Sequence, residues 1–249
     1  MVQLMPRTIR HQLCRLLFEA NARGNAREAS KDLLTLDEVL RWHINAVALR
    51  YGDGVHPKHR LMRYHEYFSS RLKSGERVLD VGCGYGALAE SMSKTGAVVC
   101  GFDLNPKSIE QARKRYTGQN LTYFVGDITT IDLPGRFETV VLSNVLEHIE
   151  KRRELLDRLR MKVSPKRFLI RIPMIDRDWM VYFRRELGLP YCSDPTHFIE
   201  YTLESFIQEM KEARLAVSSY EVKWGALYAE VVPVDISTVL AGTNEGHVS

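Results

Sequence analysis

The chain contains 249 residues, of which 45% are hydrophobic and 27% are charged. This length accommodates one large domain with an extension, and the hydrophobic content is ordinary for a globular core, which excludes a largely disordered chain. The formal net charge of +4 is small and the basic residues form no single block, so charge alone indicates neither a nucleic-acid partner nor an acidic substrate.

The apolar runs and the cysteines of the sequence bear on the compartment of the protein. No apolar run approaches the roughly 18 residues that a membrane helix requires. Arg7, Arg10 and Arg15 interrupt the amino-terminal stretch, which therefore lacks the apolar core of a signal peptide. We therefore predict a cytoplasmic protein without a membrane span. The cysteines are dispersed without metal-ligand spacing, and we interpret them as reduced thiols: Cys14, Cys83, Cys100 and Cys192.

The amino-terminal part predicts helices. Residues 1–50 show leucines at helical spacing, interrupted by one polar stretch. Residues 64–72 predict a further helix that ends before Gly75. We therefore expect a helical cap over residues 1–73.

The connecting segment, residues 51–65, combines three histidines with several cations. Zinc needs soft or neutral ligands with supporting partners, and the neighbouring cations raise the local potential against a metal ion. We therefore predict no metal there. The alternatives are a purely structural segment and a clamp over a cofactor or an anionic substrate, for which the candidates are Lys58, Arg60 and Tyr64.

An apolar strand over residues 77–81 contains Asp80 and leads into three alternating glycines, Gly82, Gly84 and Gly86. Without a Cβ, these glycines allow a strained turn and a close approach of a ligand to the backbone. The pattern is D-x-G-x-G-x-G, whereas dinucleotide-binding loops carry G-x-G-x-x-G and receive a pyrophosphate. Because an acid would repel a pyrophosphate, the loop favours a ligand with a cationic amino group.

Three later strands are followed by polar segments. Residues 98–102 end in Asp103, whose carboxylate can accept hydrogen bonds from both hydroxyls of a ribose. Residues 121–125 lead into Gly126, Asp127 and Ile128. The fourth strand, residues 138–142, leads into Ser143-Asn144-Val145-Leu146-Glu147-His148-Ile149.

In this order the four segments closely resemble motifs of the class I S-adenosylmethionine (AdoMet)-dependent methyltransferases, in the small-molecule branch of the ubiquinone/menaquinone-biosynthesis and type 11 enzymes. The resemblance covers about residues 75–235 and implies AdoMet as the cofactor. It implies that Asp127 takes the adenine amine, that Ile128 covers the ring, and that the segment before the first strand covers the methionine carboxylate. The implied cofactor residues are Asp80, Gly82, Cys83, Gly84, Gly86, Asp103, Leu104, Asp127, Ile128, Asn144, Arg60 and Tyr64.

Strands and helices alternate after residue 74, which predicts a parallel sheet with right-handed crossovers. A hairpin over residues 215–234 fits the antiparallel closure of the family's sheet. The predicted fold class is α/β, with a Rossmann-like doubly wound seven-stranded sheet, mostly parallel with an antiparallel last strand, over residues 74–235. Residues 236–249 predict a frayed tail.

Residues 173–200 interrupt the alternation after strand five, where an insertion lies over the ligand crevice, so we expect a substrate lid. Asp194, His197 and Tyr201 follow one another at spacings of three and four, which one helical turn could gather on one side. We predict His197 as general base or substrate-orienting group, with His148, Tyr201 and Asp194 as further catalytic candidates. The alternative is a lid anchored by structural hydrogen bonds.

The methyl group of AdoMet is already activated, so catalysis mainly requires alignment of a nucleophile, with a base where that nucleophile is a hydroxyl. No D/N-P-P-Y segment follows strand four, which argues against a DNA amine methyltransferase, and no catechol-type metal signature is present. We therefore predict methyl transfer to a small molecule at oxygen, without a nucleic-acid partner. The alternatives are an RNA or protein methyltransferase and a non-catalytic AdoMet-binding or scaffold protein.

Overall fold

The structure is a computed structural model that describes residues 5–53, 55–128, 130 and 135–234. The helices are α1 (Arg7–Asn21), α2 (Ala26–Tyr51), α3 (Lys58–Met62), α4 (His65–Ser69), α5 (Ala87–Ser93), α6 (Pro106–Arg115), α7 (Arg152–Lys162), α8 (Trp179–Glu186) and α9 (Leu203–Glu212). The strands are β1 (Arg77–Val81), β2 (Val98–Asp103), β3 (Leu121–Val125), β4 (Thr139–Ser143), β5 (Arg167–Pro173), β6 (Leu215–Lys223) and β7 (Ala226–Pro233). The chain divides into two compact units, Met1–Met62 with Trp179–Tyr191, and Arg63–Asp178 with Cys192–Ser249.

The first unit contains α1, α2, α3 and α8. α2 begins after Asn25, whose side chain accepts hydrogen bonds from two backbone N–H groups of the first turn, which would otherwise lack partners. Arg184 of α8 donates to the backbone oxygen of Leu34 in α2. The predicted lid, residues 173–200, is therefore divided between the units, and its segment Trp179–Tyr191 belongs with the amino-terminal helices.

In the second unit, the described strands form one seven-stranded sheet in the order β3-β2-β1-β4-β5-β7-β6. β1 to β5 pair in parallel, and β7 is antiparallel to both β5 and β6. The strand order reverses between β1 and β4, which is where doubly wound sheets bind ligands. The predicted α/β class and the mostly parallel sheet are confirmed.

The central strands β1 and β4 are covered by apolar residues on both faces. Leu79 and Leu142 belong to the apolar cluster that includes residues of α7 and α9, whereas Val78 and Val141 belong to the cluster with residues of α4, α5 and α6. Burial on both faces explains why apolar residues follow one another in both strands, as at Val78-Leu79 and Val140-Val141-Leu142.

Some bounds differ from the predictions. The helix predicted over residues 64–72 is α4, which has five residues. A single 3-10 turn, Leu146–His148, precedes α7. The predicted tail, residues 236–249, lies outside the described residues. None of the described helices is both long and apolar enough to cross a membrane.

Gly86 and Gly84 have different reasons to be glycine, although both have a positive φ. A Cβ at Gly86, where φ is 80°, would lie 2.5 Å from the hydroxyl oxygen of Tyr123 and 2.9 Å from Cβ of Ala112. At Gly84, where φ is 53°, a Cβ would meet no atom within 4 Å. Gly86 therefore allows α5 to begin against β3 and α6, while Gly84 leaves the turn open.

Gly86→Ala should lower the free energy of unfolding by about 2–5 kcal/mol, because a left-handed backbone and overpacking against Tyr123 act together. Gly84→Ala should cost only about 1–2 kcal/mol, since the backbone conformation alone acts there. Urea denaturation of both variants measures the difference. Equal losses would contradict the assignment of Gly86 to packing.

Candidate functional site

The carboxyl ends of β1, β2, β4 and β5 lie side by side and gather polar residues at one edge of the sheet. Val81 pairs in register with Phe102 and with Leu142, and Ser143 pairs with Arg171. Asp80, Asp103, Asn144 and Arg171 therefore come from different strand ends to the same edge.

Asp80 is a buried acid with an unmet hydrogen-bonding requirement. Its side chain is 1% exposed, and its Oδ2 has no hydrogen-bond partner among the described residues. Burial, and to a smaller extent the nearby Asp103, raise the pKa of Asp80 to about 8. A ligand that brings a cationic donor to this oxygen would satisfy it and favour the ionised carboxylate.

Asp103 fastens the glycine turn to β2. Its Oδ2 accepts a hydrogen bond of 2.9 Å from the backbone N–H of Gly84, and its Oδ1 accepts one of 2.8 Å from Asn105. Each carboxylate oxygen can accept a further hydrogen bond, so Asp103 can hold the turn and a ribose together. The open space at Gly84 and the unpartnered oxygen of Asp80 fit a nucleoside that carries an ammonium group, as AdoMet does.

Gly82 and Cys83, at the start of the turn, are packed within the protein. A Cβ at Gly82 would lie 2.8 Å from Cγ2 of Val145. Cys83 is buried, and burial raises the pKa of its thiol. These residues shape the turn, and their direct contact with a cofactor stays a prediction.

Three predicted cofactor residues, Leu104, Asp127 and Ile128, follow β2 and β3, and adenine binding is predicted for the last two. Leu104 is 66% exposed directly after Asp103, whereas Ile128 is buried and belongs to one of the apolar clusters. Asp127 is partly exposed. An exposed leucine is the more available cover for an aromatic ring, and the roles of all three residues stay predictions.

Arg171 connects Asn144 to two aromatic rings, and the sequence reasoning missed it. Its Nη1 donates to Oδ1 of Asn144, which follows β4 with a φ of 57°. Its Nε donates to the hydroxyl of Tyr228 at 3.1 Å, and its guanidinium carbon lies 4.6 Å from the ring centroid of Tyr64. Burial raises the pKa of Tyr64 to about 12, an effect that Arg171 opposes and Asp80 reinforces. Tyr64 is therefore near both Asp80 and Arg171.

Arg60 lies on α3 in the first unit, as Lys58 does. Their predicted role in a clamp stays a prediction, as does the predicted absence of a metal near them.

His148 and His197 lie together. Their ring centroids are 4.5 Å apart, with an interplanar angle of 79°. Nδ1 of His148 lies 2.8 Å from the hydroxyl of Thr196, which itself donates to Asp194. Burial, and next the neighbouring His197, lower the pKa of His148. Three of the four predicted catalytic residues are therefore gathered in one cluster.

Glu200 orients His197. The carboxylate of Glu200 is buried and paired with Arg177, and it also accepts a 2.6 Å hydrogen bond from the backbone N–H of Ser193. Nδ1 of His197 lies 3.0 Å from Oε1 of Glu200. A carboxylate accepts hydrogen bonds, so Nδ1 is the ring nitrogen that donates to Glu200, and Nε2 is the ring nitrogen not engaged by this carboxylate. The sequence reasoning missed Glu200, although it lies only three residues after His197.

Tyr201 does not join this cluster. It is fully buried, and its hydroxyl donates to Glu209 of α9 at 2.6 Å. The reason is the backbone, because Tyr201 forms a parallel bridge with Met174 instead of continuing a helical turn. In extended backbone, residues four apart do not follow the geometry of a helix face.

Glu147 completes a set of possible ligands. It is fully buried, both carboxyl oxygens have no partner among the described residues, and burial raises its pKa to about 7. One ligand atom each from Glu147, His148 and His197 lies within 4.8 Å of the others. One carboxyl and two imidazoles can exchange a proton or hold a divalent cation, so the predicted absence of a metal stays a prediction.

Comparisons with known proteins agree on one family. Residues 55–220 match the family model described as a methyltransferase domain. The ubiquinone biosynthesis O-methyltransferase, mitochondrial, of Schizosaccharomyces pombe is 39% identical over 102 residues, covering 39% of this chain and 37% of that protein. The ubiquinone biosynthesis O-methyltransferase of Xanthomonas euvesicatoria is 39% identical over 113 residues, covering 42% and 47%. This chain thus spans less than half the length of either relative.

A solved structure supports the fold. The magnesium protoporphyrin IX methyltransferase of Synechocystis with bound SAH superposes with a TM-score of 0.56 and 17% sequence identity, covering 79% of this chain and 99% of that chain.

Asp80→Asn should stabilise the protein relative to the wild type, increasingly so from about pH 4 to pH 8. The carboxyl group has a pKa of about 3.9 in an unfolded chain and about 8 in the folded protein. Between these values the folded state binds one more proton, so the contribution of Asp80 to the free energy of unfolding falls by up to about 1.4 kcal/mol per pH unit. Denaturation of both proteins across this range measures it, and a difference independent of pH would contradict the shift.

Proposed function

Because this chain belongs to the methyltransferase domain family, we propose that it transfers the methyl group of AdoMet to an oxygen atom of a small molecule. The observation that carries the proposal is the crevice at β1, where an unpartnered oxygen of buried Asp80 lies before a glycine turn that is open at Gly84. Asp80, the turn and Asp103 would hold the cofactor, which supplies an activated methyl group when bound.

A hydroxyl acceptor is supported by the histidine cluster and by the relatives. A hydroxyl must lose its proton as its oxygen attacks, and a positioned base accelerates that step. Nε2 of His197 is the acceptor for the proton, while Glu200 fixes the ring and stabilises the imidazolium that forms. Both relatives described above are named ubiquinone biosynthesis O-methyltransferases. We therefore propose that the acceptor is a hydroxylated compound of the class of ubiquinone precursors.

The direct test supplies methyl-labelled AdoMet with a cell extract and follows the label. Label in a small organic product whose mass and NMR spectra place the methyl group on an oxygen atom supports the proposal. Label in RNA or protein would replace it with the corresponding macromolecular methyltransferase, and binding without any transfer would indicate an AdoMet-binding protein without activity.

The purified protein should bind AdoMet and its demethylated product in preference to NAD, since Asp80 repels a pyrophosphate and attracts an ammonium group.

Asp103→Ala should weaken AdoMet binding by about 1–3 kcal/mol, the usual scale for hydrogen bonds to a charged group. Isothermal titration calorimetry measures both, with Asp37→Ala on α2 as a control that should bind normally. NAD binding without AdoMet binding would contradict the proposed cofactor.

His197→Ala should keep its AdoMet affinity while turnover falls roughly 10²–10⁴-fold, the usual contribution of a positioned proton acceptor. The Glu200→Gln variant should lose less turnover than the His197→Ala variant. The imidazole keeps a hydrogen-bonding neighbour in this variant but loses the charge that stabilises the imidazolium. His11→Ala, on α1, is the matched control and should behave as the wild type. If melting temperature and cofactor affinity fall together with turnover, His197 anchors the segment and is not the base.

A further inference from the structure

Arg171 lies on the same face of the sheet as Asp80. Asp80 pairs in register with Val141 of β4, and Ser143, two residues further along β4, pairs with Arg171 of β5. Residues two apart in a strand share a face, and register partners of neighbouring strands point to the same side. The acid and the guanidinium therefore face the same layer at the carboxyl ends of the strands.

The guanidinium of Arg171 is held in one orientation. Nε donates to the Tyr228 hydroxyl at 3.1 Å and Nη1 donates to Oδ1 of Asn144. The ring centroids of Tyr64 and Tyr228 lie 4.6 Å and 5.4 Å from its central carbon. These contacts leave Nη2 with donors that the two neutral partners do not use.

Arg171 is partly buried, yet no acid of the described residues forms an ion pair with it. Arg167, four residues earlier on the same strand, pairs with Glu76 at 2.9 Å and with Glu230 at 3.6 Å. Glu147 is close enough for its pKa to respond to Arg171 but does not pair with it. A planar cation in this situation is suited to an incoming carboxylate, which it can bind with two parallel hydrogen bonds.

We propose that Arg171 binds the carboxylate at the amino-acid end of AdoMet, while Asp80 receives the ammonium group of the same amino acid. This inference rests on the proposed function. A zwitterion presents one charge of each sign, and this face presents an unpartnered acid oxygen and an unpaired guanidinium, with Tyr64 near both. Neither group alone distinguishes an amino acid from a simple cation or anion.

The test compares AdoMet with decarboxylated AdoMet, which keeps the amino group and lacks the carboxylate, by titration calorimetry. Arg171→Gln should weaken AdoMet binding roughly tenfold to hundredfold, the scale of hydrogen bonds to a charged partner, and leave binding of the decarboxylated compound within about twofold. Arg171→Lys should recover part of the loss, since the charge remains and the planar fork is lost. Arg167→Gln, on the same strand but paired within the protein, should leave the ratio of the two affinities unchanged.

If Arg171→Gln weakens the binding of AdoMet and of decarboxylated AdoMet equally, the inference is overturned and Arg171 has a structural role. An unchanged ratio of affinities with a higher KM for the acceptor would also overturn it, because the guanidinium would then face the acceptor. If the wild type binds AdoMet but Arg171→Gln leaves the ratio of the affinities for AdoMet and decarboxylated AdoMet unchanged, the proposed function stands without this inference. If the wild type binds neither compound, both fall.

Discussion

The burial of one carboxyl group at the end of β1 is the constraint around which the crevice is organised. Asp80 is 1% exposed and has an oxygen without a partner among the described residues, which costs stability because the charged form is poorly solvated there. The central position of β1, paired on both sides by β2 and β4, satisfies the backbone and lets the fold tolerate the acid. A ligand with an ammonium group would remove the same cost, so the burial of Asp80 favours the binding of such a ligand.

The turn after Asp80 divides its tasks among its glycines. Gly82 and Gly86 leave no room for a Cβ, because Val145 and Tyr123 occupy that space. A Cβ at Gly84 would meet no atom within 4 Å, and the N–H of Gly84 donates to Oδ2 of Asp103. Packing fixes the two ends of the turn, so its middle can face a ligand without the turn losing its shape. Asp103 links that middle to β2, so the turn and the predicted ribose contact are coupled through one carboxylate.

The sequence predicted those parts of the molecule that are determined by local patterns. Strands buried on both faces appear as apolar runs such as Val140–Leu142, and the polar residue that follows such a run, here Ser143, indicates where the strand ends. Residues that meet through strand register or long-range packing carry no such signal. Arg171 reaches Asn144 because β4 and β5 pair, and Arg184 reaches the backbone of α2 across 150 positions of sequence. The spacing rule misplaced Tyr201 because it assumed a helical turn where the chain is extended.

The segment that carries His197 is tied down at several points, which bears on how a base there would work. The backbone N–H of Phe198 donates to the backbone oxygen of Glu147 at 2.8 Å, and the backbone N–H of Thr196 donates to Oδ1 of Asp194. The Tyr201 hydroxyl donates to Glu209, whose other oxygen lies 2.7 Å from Arg152 of α7. A histidine held by Glu200 within such a segment needs little reorganisation when it accepts a proton. The lid over residues 173–200 stays a prediction, and the contacts of residues 192–200 fit the alternative of a segment anchored by structural hydrogen bonds, in which Glu200 orients the imidazole.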